Sequence, residues 1–275
     1  MRKGADTQAE LINLDIISKK GGYILSSYKK RNHHCHWDQC RCQVSGPQGP
    51  SITLGCNTQA IGECSFAEGN NTKSNGFAAH AEGADTSATG DVSHAEGSGT
   101  IAGEFASHAE GFNTLASGPI SHAEGQNTQA QGDSSHAQGI NAIAGGQASH
   151  VEGTNTLAAG EFSHAEGSFT QANGFATHAE GANTGAIGDV SHAEGSETIA
   201  SEFASHAQGL KTLASGPISH AEGQNTQAQG DSSHAQGINT IASGQAAHAE
   251  GQNTQAQGDS SHAQGINTIA SGQAA

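Results

Sequence analysis

Residues 122–135 read HAEGQNTQAQGDSS, and the same fourteen letters return unchanged at residues 220–233. A looser version of this unit begins at a His every 14 residues, and Phe66 and Ile52 occupy the same slot upstream. Sixteen units therefore fill residues 52–275 without an insertion. A fixed short period of this kind predicts a solenoid in which each unit forms one coil. The register comprises His80, His94, His108, His122, His136, His150, His164, His178, His192, His206, His220, His234, His248 and His262.

The composition excludes most globular folds. Only 33% of the 275 residues are hydrophobic, against about 45–50% apolar residues in ordinary domains. This is too few for the core of a TIM barrel, a Rossmann fold or a helical bundle. Charged residues make up 13% of the chain, which excludes a long charged helix. The 39 Gly residues favour a repeat architecture with a small-residue interior.

The unit itself predicts β-strands. With His as position 1, it reads H-A-E-G-x-x-T-x-A-x-G-x-x-S, with Gly at position 4 in all sixteen units. Small residues alternate with variable ones at a period of two, which is typical of strands. We expect two five-residue strands per coil, with positions 14, 2, 4, 7, 9 and 11 facing inward. Parallel stacking at about 4.8 Å per coil would give a rod of about 77 Å.

Charge and hydropathy exclude two classes of partner. Eight of the ten Lys and Arg residues precede residue 43, where four acids leave a net charge of +4. The remaining two Lys and 22 acids give the rest of the chain a charge of −20. Such an acidic body is unsuited to phosphate, so we expect no nucleic-acid partner. No apolar run approaches 18 residues, so we expect no membrane insertion, and no signal peptide is recognised.

The first coil carries a family resemblance. Ser51–Gly55 reads SITLG, with Ile52 and Leu54 at positions 1 and 3, and later units place His and Glu there, as in SHAEG at 121–125. This unit resembles the YadA-like (Hep/Hag) head repeat of trimeric adhesins, S-V-A-I-G-x-x-S/T-x-A-x-G-x-x. The resemblance implies an all-β, left-handed parallel β-roll that assembles as a homotrimer, with positions 1 and 3 facing the three-fold axis. It implies a structural or adhesive rod on a surface.

The His ladder admits two interpretations. Positions 1 and 3 share one face, so His and Glu would form two rows along the rod. One interpretation is metal or proton binding along the axis. The other is hydrogen bonding in the trimer seam, which is favoured by Gln at positions 138, 208, 236 and 264, because an amide donates and accepts without charge. Adjacent Ser and His residues point to opposite faces, so we expect no catalytic residues and no enzyme.

Residues 1–51 read as a separate segment that attaches the rod to an anchoring protein or particle. Leu11, Ile12, Leu14 and Ile17 predict a short helix, and Tyr23–Leu25 a strand, with Gly21-Gly22 as the turn. Cys35, Cys40, Cys42 and His36 supply ligands for a zinc site, although their spacing matches no standard finger. Disulfides between chains are the alternative, through Cys35, Cys40, Cys42, Cys56 or Cys64, and free thiols are a third. We expect no other cofactor.

Together these features predict a surface fibre, with residues 1–51 for attachment and 52–275 as the rod. The absence of a recognised signal favours a spore filament or a phage tail fibre, although a cell surface stays open. The alternatives are a phage receptor-binding fibre and a His-lined metal-binding rod. Eight of the sixteen position-8 residues are Ile or Leu, so this outward row is either a candidate adhesive surface or a set of apolar residues tolerated on the surface. The receptor cannot be named from the sequence.

Overall fold

The computed structural model describes residues 16–19, 22–25, 40–46 and 49–274, with side chains from residue 49 onward. These ranges contain 35 strands, and no helix occurs among them. Two of the first three strands, β1 (Ile16–Lys19) and β2 (Gly22–Leu25), form an antiparallel hairpin, and β3 (Cys40–Gly46) follows. From residue 49 the chain is a parallel β-solenoid of sixteen coils, as the period predicted.

Each coil contributes one long strand, which spans positions 1–5 in every coil but the first. The long strands are β4 (Gly49–Cys56), β6 (Phe66–Asn70), β8 (His80–Ala84), β10 (His94–Ser98), β12 (His108–Phe112), β14 (His122–Gln126), β16 (His136–Ile140), β18 (His150–Thr154), β20 (His164–Ser168), β22 (His178–Ala182), β24 (His192–Ser196), β26 (His206–Leu210), β28 (His220–Gln224), β30 (His234–Ile238), β32 (His248–Gln252) and β34 (His262–Ile266).

Each coil also contributes one short strand at positions 8 and 9. The short strands are β5 (Gln59–Ala60), β7 (Lys73–Ser74), β9 (Ser87–Ala88), β11 (Ile101–Ala102), β13 (Leu115–Ala116), β15 (Gln129–Ala130), β17 (Ile143–Ala144), β19 (Leu157–Ala158), β21 (Gln171–Ala172), β23 (Gly185–Ala186), β25 (Ile199–Ala200), β27 (Leu213–Ala214), β29 (Gln227–Ala228), β31 (Ile241–Ala242), β33 (Gln255–Ala256) and β35 (Ile269–Ala270).

The coils stack in perfect register. Each long strand pairs in parallel with the next at an offset of 14 residues, so that His94 lies beside His108 and Glu96 beside Glu110. The short strands stack in the same way into a second sheet of 16 strands. Equivalent side chains therefore form straight rows along the rod, and any chemistry placed at one position of the unit is repeated on every coil.

The core between the two sheets is built from small side chains. Ala at positions 2 and 9, Ser at position 14 and Thr at position 7 are buried in nearly every coil, and Val151 is the largest fully buried side chain. This confirms the predicted inward face, except at position 4. Gly83 and its equivalents are half-exposed or exposed.

The second strand is shorter than predicted, with two residues in place of five. The N–H groups of positions 10 and 11 both donate to the position-9 carbonyl of the next coil, as in Thr89 and Gly90 with Ala102. Because two successive N–H groups donate to the same carbonyl, the backbone turns at this point. A β-turn follows, in which the Ser93 N–H donates to the Gly90 carbonyl. The strand therefore ends after position 9.

The two Gly positions of the unit are required for different reasons. At position 4, φ lies between +111° and +125°, and an added Cβ would overlap the carbonyl of the next coil, as Gly139 would overlap Gly153. At position 11 an added Cβ would meet the next coil's backbone, although φ is not positive. Position 4 carries both restrictions and is Gly throughout, whereas Glu104 and Glu202 are accepted at position 11.

The N-terminal strands extend the sheet of long strands. Strand β2 pairs with β3, and β3 pairs antiparallel with β4, with a β-bulge between Val44 and Gly46. The predicted helix is wrong where it reaches Ile17, which lies in β1, while Leu11, Ile12 and Leu14 lie outside the described residues. The predicted strand at Tyr23–Leu25 is confirmed by β2. The segment is thus joined to the first coil by backbone pairing.

Candidate functional site

The His side chains form one continuous column. Each begins a long strand, and parallel pairing sets consecutive rings 4.6 to 4.9 Å apart between centroids from His80 to His262. Most rings are stacked nearly parallel, with a tilted stretch from His108 to His150. Phe66 continues the column at 4.9 Å from His80. Position 1 is therefore a row of planar rings along the whole rod.

The His rings are partly buried within a single chain. The His side chains that contact Glu keep 35 to 38% of their surface exposed. Seven Nε2 atoms have no solvent contact and no hydrogen-bond partner among the described residues, although polar atoms this deeply buried usually have one. They belong to His80, His94, His108, His122, His136, His164 and His248.

Glu at position 3 lies beside His at position 1 on the same face. In seven coils the His Nε2 and Glu Oε2 atoms are 3.5 to 3.9 Å apart, for example 3.7 Å between His164 and Glu166. These distances are too long for a hydrogen bond, so the contacts are electrostatic and depend on protonation of the His. This face therefore carries a row of titratable His side chains beside a row that is mostly Glu carboxylates.

Burial and crowding favour the neutral form of the ladder His residues. Desolvation is the largest cause that lowers the pKa of seven of them, and the neighbouring His rings lower it further. The nearby Glu carboxylates act in the opposite direction but are the smaller influence. The residues with a lowered pKa are His94, His108, His122, His136, His164, His206 and His234.

The Gln residues at position 3 donate along the rod. The Nε2 atom of Gln208 lies 3.1 Å from Glu194 Oε2, and Gln264 contacts Glu250 at the same distance. Gln236 makes a longer contact of 3.4 Å with Glu222. Gln208 and Gln236 each lie between two coils that carry Glu at position 3 and so separate their carboxylates. This arrangement supports hydrogen bonding as one role of position 3.

The cysteine and metal hypotheses fall mostly outside the described side chains. The proposed zinc ligands precede residue 49, where side chains begin to be described; they are Cys35, His36, Cys40 and Cys42. The zinc site therefore stays a prediction. Among the described residues, no group of three His, Cys, Asp or Glu side chains is arranged to hold a metal ion. Cys56 is disulfide-bonded within the chain, whereas Cys64 is a free and exposed thiol. A bond from Cys64 to a neighbouring chain stays a prediction.

The Ser that precedes each His faces the core. Ser121 Oγ donates to the Gly118 carbonyl at 2.6 Å and is buried, whereas the neighbouring His122 lies on the outer face. The expected separation of Ser and His is confirmed, and the pair cannot act as nucleophile and base. In the repeated Ser-His motif, Ser therefore packs in the core and His lies on the outer face.

A family model for the YadA head domain repeat matches residues 123–149, 235–254 and 249–275. Every matched segment has the same strand register as the remaining coils. The matched segments are YadA-like head repeats. Comparison with curated proteins returned no match. The match confirms the resemblance to the YadA-like head repeat in these coils, and the solenoid is an adhesin-like rod.

The described residues contain no helix long and apolar enough to cross a membrane.

The outer surface of these YadA-like coils carries a row of Asn side chains that the sequence analysis missed. Asn side chains at position 6 are linked by hydrogen bonds from coil to coil, from Asn113 through Asn127 and Asn141 to Asn155. Their backbones have φ of 53° to 54°, which Asn tolerates better than most residues. Asn occupies position 6 in eleven of the sixteen units, and this recurrence was the available signal.

The exposed apolar residues of the YadA-like rod lie only partly where the sequence placed them. At position 8, five of the eight Ile and Leu side chains are half-buried. Large exposed side chains also lie at positions 5 and 6, such as Phe112 and Phe169, and at positions 12 and 13, where the chain turns back towards the His column. At positions 12 and 13, Phe105 is 55% exposed and Ile120 is 58% exposed. The row at position 8 is thus only partly exposed, and its adhesive role stays a prediction.

Proposed function

We propose that three copies of the chain assemble into a surface rod, with positions 1 and 3 of each coil facing the three-fold axis. The single observation that carries the proposal is the His column, whose rings follow one another at 4.6 to 4.9 Å and in which seven Nε2 atoms are buried without a hydrogen-bond partner. A contact surface shared by every coil must be uniform, because all coils meet an equivalent neighbour.

The first two coils support the same orientation. Ile52 is 39% exposed in the single chain, and Leu54 and Phe66 on the same face are half-exposed. These are the largest apolar side chains at positions 1 and 3. Covering them in an assembly would remove apolar surface from water and stabilise the association.

A thin core gives a physical reason for assembly. The interior is almost entirely Ala, Ser, Thr and Gly, so each coil buries little apolar area per residue. Association through one long face adds burial that the single coil lacks, and stability is then linked to assembly. The His–Glu rows would supply hydrogen bonds in this seam.

The rod would present its outer surface on a spore, cell or virion, as a structural or adhesive element and not an enzyme. Attachment is assigned to residues 1–51, because strands β1 to β3 continue the sheet at the first coil. The faces of the rod outside the seam would then be available to a partner.

The mass in solution tests the proposal. Sedimentation equilibrium at neutral pH, with and without reductant, should give three chains of 27.6 kDa each. The value under reductant separates assembly through the seam from cross-linking through cysteine. A stable single-chain species in reductant would contradict the proposed seam.

A further inference from the structure

Two apolar stripes lie on the corner formed by positions 12 and 13. The first corner stripe is Phe77, Val92, Phe105 and Ile120, on four consecutive coils. The second corner stripe is Phe175, Val190, Phe203 and Ile218, which repeats the first after 98 residues, or seven coils. All eight side chains are between 47 and 59% exposed in the chain. Four coils span about 14 Å along the rod.

The backbone holds each stripe together. The Val92 N–H donates to the Phe77 carbonyl at 2.7 Å, and the Ile120 N–H donates to the Phe105 carbonyl at 2.8 Å. The equivalent bonds recur in the second stripe. The side chains are therefore presented on a fixed edge, in contrast to apolar residues scattered over a mobile loop.

The position-13 residues of the stripes adopt an unfavourable conformation. Val92 and Val190 have φ of 60°, and Ile120 and Ile218 have φ of 58° and 56°. A β-branched residue in this left-handed region is an outlier, whereas Asn or Gly would suit it. Every described coil has this conformation at position 13, including Ser134 with φ of 56°. The turn therefore does not require a β-branched apolar residue, and its presence in the stripes favours a role for the exposed side chain.

The duplication supports the same conclusion. Between residues 75–150 and 173–248, positions 12 and 13 are identical in all six coils that the two copies share. The opposite corner has changed, with Phe112 replaced by Leu210 and Asn113 by Lys211. The corner with the stripes has thus been retained while equally exposed positions have diverged.

The charge around the stripes indicates what they would bind. Asp91 and Glu104 lie within the first stripe, and both are exposed. The Asp91 carboxylate accepts the Phe77 N–H at 2.8 Å, and Asp189 accepts the Phe175 N–H in the same way. No Lys or Arg lies at positions 11 to 13 of any described coil. The surface therefore combines apolar side chains with charged groups that are all carboxylates.

We propose that each corner stripe is a docking site for a cationic, amphipathic segment of a partner protein, with two such sites on every chain. A second copy of this chain is a poorer occupant, because the stripes are interrupted. Asp133 and Ser134 replace them on the next coil, whereas the contact between copies should be uniform along the rod. The inference rests on the adhesive role proposed above and names the surface and the partner chemistry.

The test uses the assembled full-length chain and a fluorescein-labelled helical peptide of Leu and Lys. Comparison peptides carry Ser in place of Leu, or Glu in place of Lys. The rod variant combines Val92→Asn, Ile120→Asn, Val190→Asn and Ile218→Asn, which removes the apolar groups and relieves the backbone. The matched control makes Ser134→Asn and Ser232→Asn at the same position of coils that lack a stripe.

We expect the Leu/Lys peptide to bind at two sites per chain, as measured by fluorescence anisotropy. The fourfold variant should weaken binding by about tenfold or more, with an unchanged or higher melting temperature, and the control should bind normally. Equal binding by the fourfold variant, or by the Ser/Lys peptide, would overturn the proposal. A fall in the mass of the variant would also overturn it, because the stripes would then join copies. If the wild-type rod is monomeric yet shows the expected binding, the seam fails while the docking site stands.

Discussion

The close stacking of coils at position 4 makes a local prediction with a matched control. Gly139→Ala would place a methyl group against Gly153, overlapping its carbonyl oxygen and lying 2.9 Å from its carbonyl carbon. Gly145→Ala, six residues away, would meet no atom closer than 3.7 Å. Both changes add one methyl group to the same coil, so they differ in backbone conformation and space alone.

The expected cost follows from two sources. A φ of +122° at Gly139 lies in a region that costs an L-residue about 1–3 kcal/mol. Forcing the neighbouring coil aside costs about 1–3 kcal/mol more, as overpacking does in other tightly packed interiors. Gly139→Ala should therefore lower the local stability by about 2–6 kcal/mol, and Gly145→Ala should change it by less than about 1 kcal/mol.

Hydrogen exchange followed by mass spectrometry is the appropriate assay, because a stack of coils opens locally and not as one unit. Amides of the coils around residues 136–163 should exchange at least about thirtyfold faster in Gly139→Ala than in the wild type. The Gly145→Ala rod should match the wild type. Equal exchange in the two variants would refute the claim that Gly at position 4 is required by the approach of the next coil.

Three further predictions concern the His face. The lowered pKa of seven ladder His residues means that the unfolded chain binds more protons below about pH 6.5. The melting temperature should therefore be constant above that pH and fall on acidification, and a rise between pH 7 and 5.5 would show that the Glu contacts dominate. His164→Asp should weaken assembly, because it places a carboxylate near Glu166. Gln171→Asp, on the exposed opposite face, should leave the sedimentation mass unchanged. Equal masses for the two variants would argue against the seam. Protonation of His should also bring the net charge of −16 towards zero near the isoelectric point of about 5.4, so light scattering should rise between pH 7 and 5, and a flat trace would count against it.

The 14-residue period was sufficient to predict the solenoid and most of its interior. Register between coils follows from repetition alone, since a shift of one residue would turn Ala81 and Ala95 out of the core. The length of the second strand could not be predicted in this way. Alternation at a period of two continues through position 11, but the strand ends where Thr89 and Gly90 share the Ala102 carbonyl. That bond exists only when two coils are stacked.

The surface was harder to predict than the core. A side chain at position 8 and one at position 13 both face outward, and the sequence does not show how deeply neighbouring coils cover each. Leu115 is half-buried by its neighbours, whereas Ile120 stands on a turn and is more than half exposed. The corner stripes therefore required the turn geometry, although their recurrence after 98 residues was present in the sequence.

The orientation of the His face is the central claim, and a cryo-EM reconstruction of the purified full-length rod tests it most directly. We expect three chains around one axis, with every His164 nearer to that axis than Gln171 of the same coil. The unpartnered Nε2 atoms of the column should lie in the seam between chains. A rod with the His column on its outer surface, or a particle of one chain, would contradict the account.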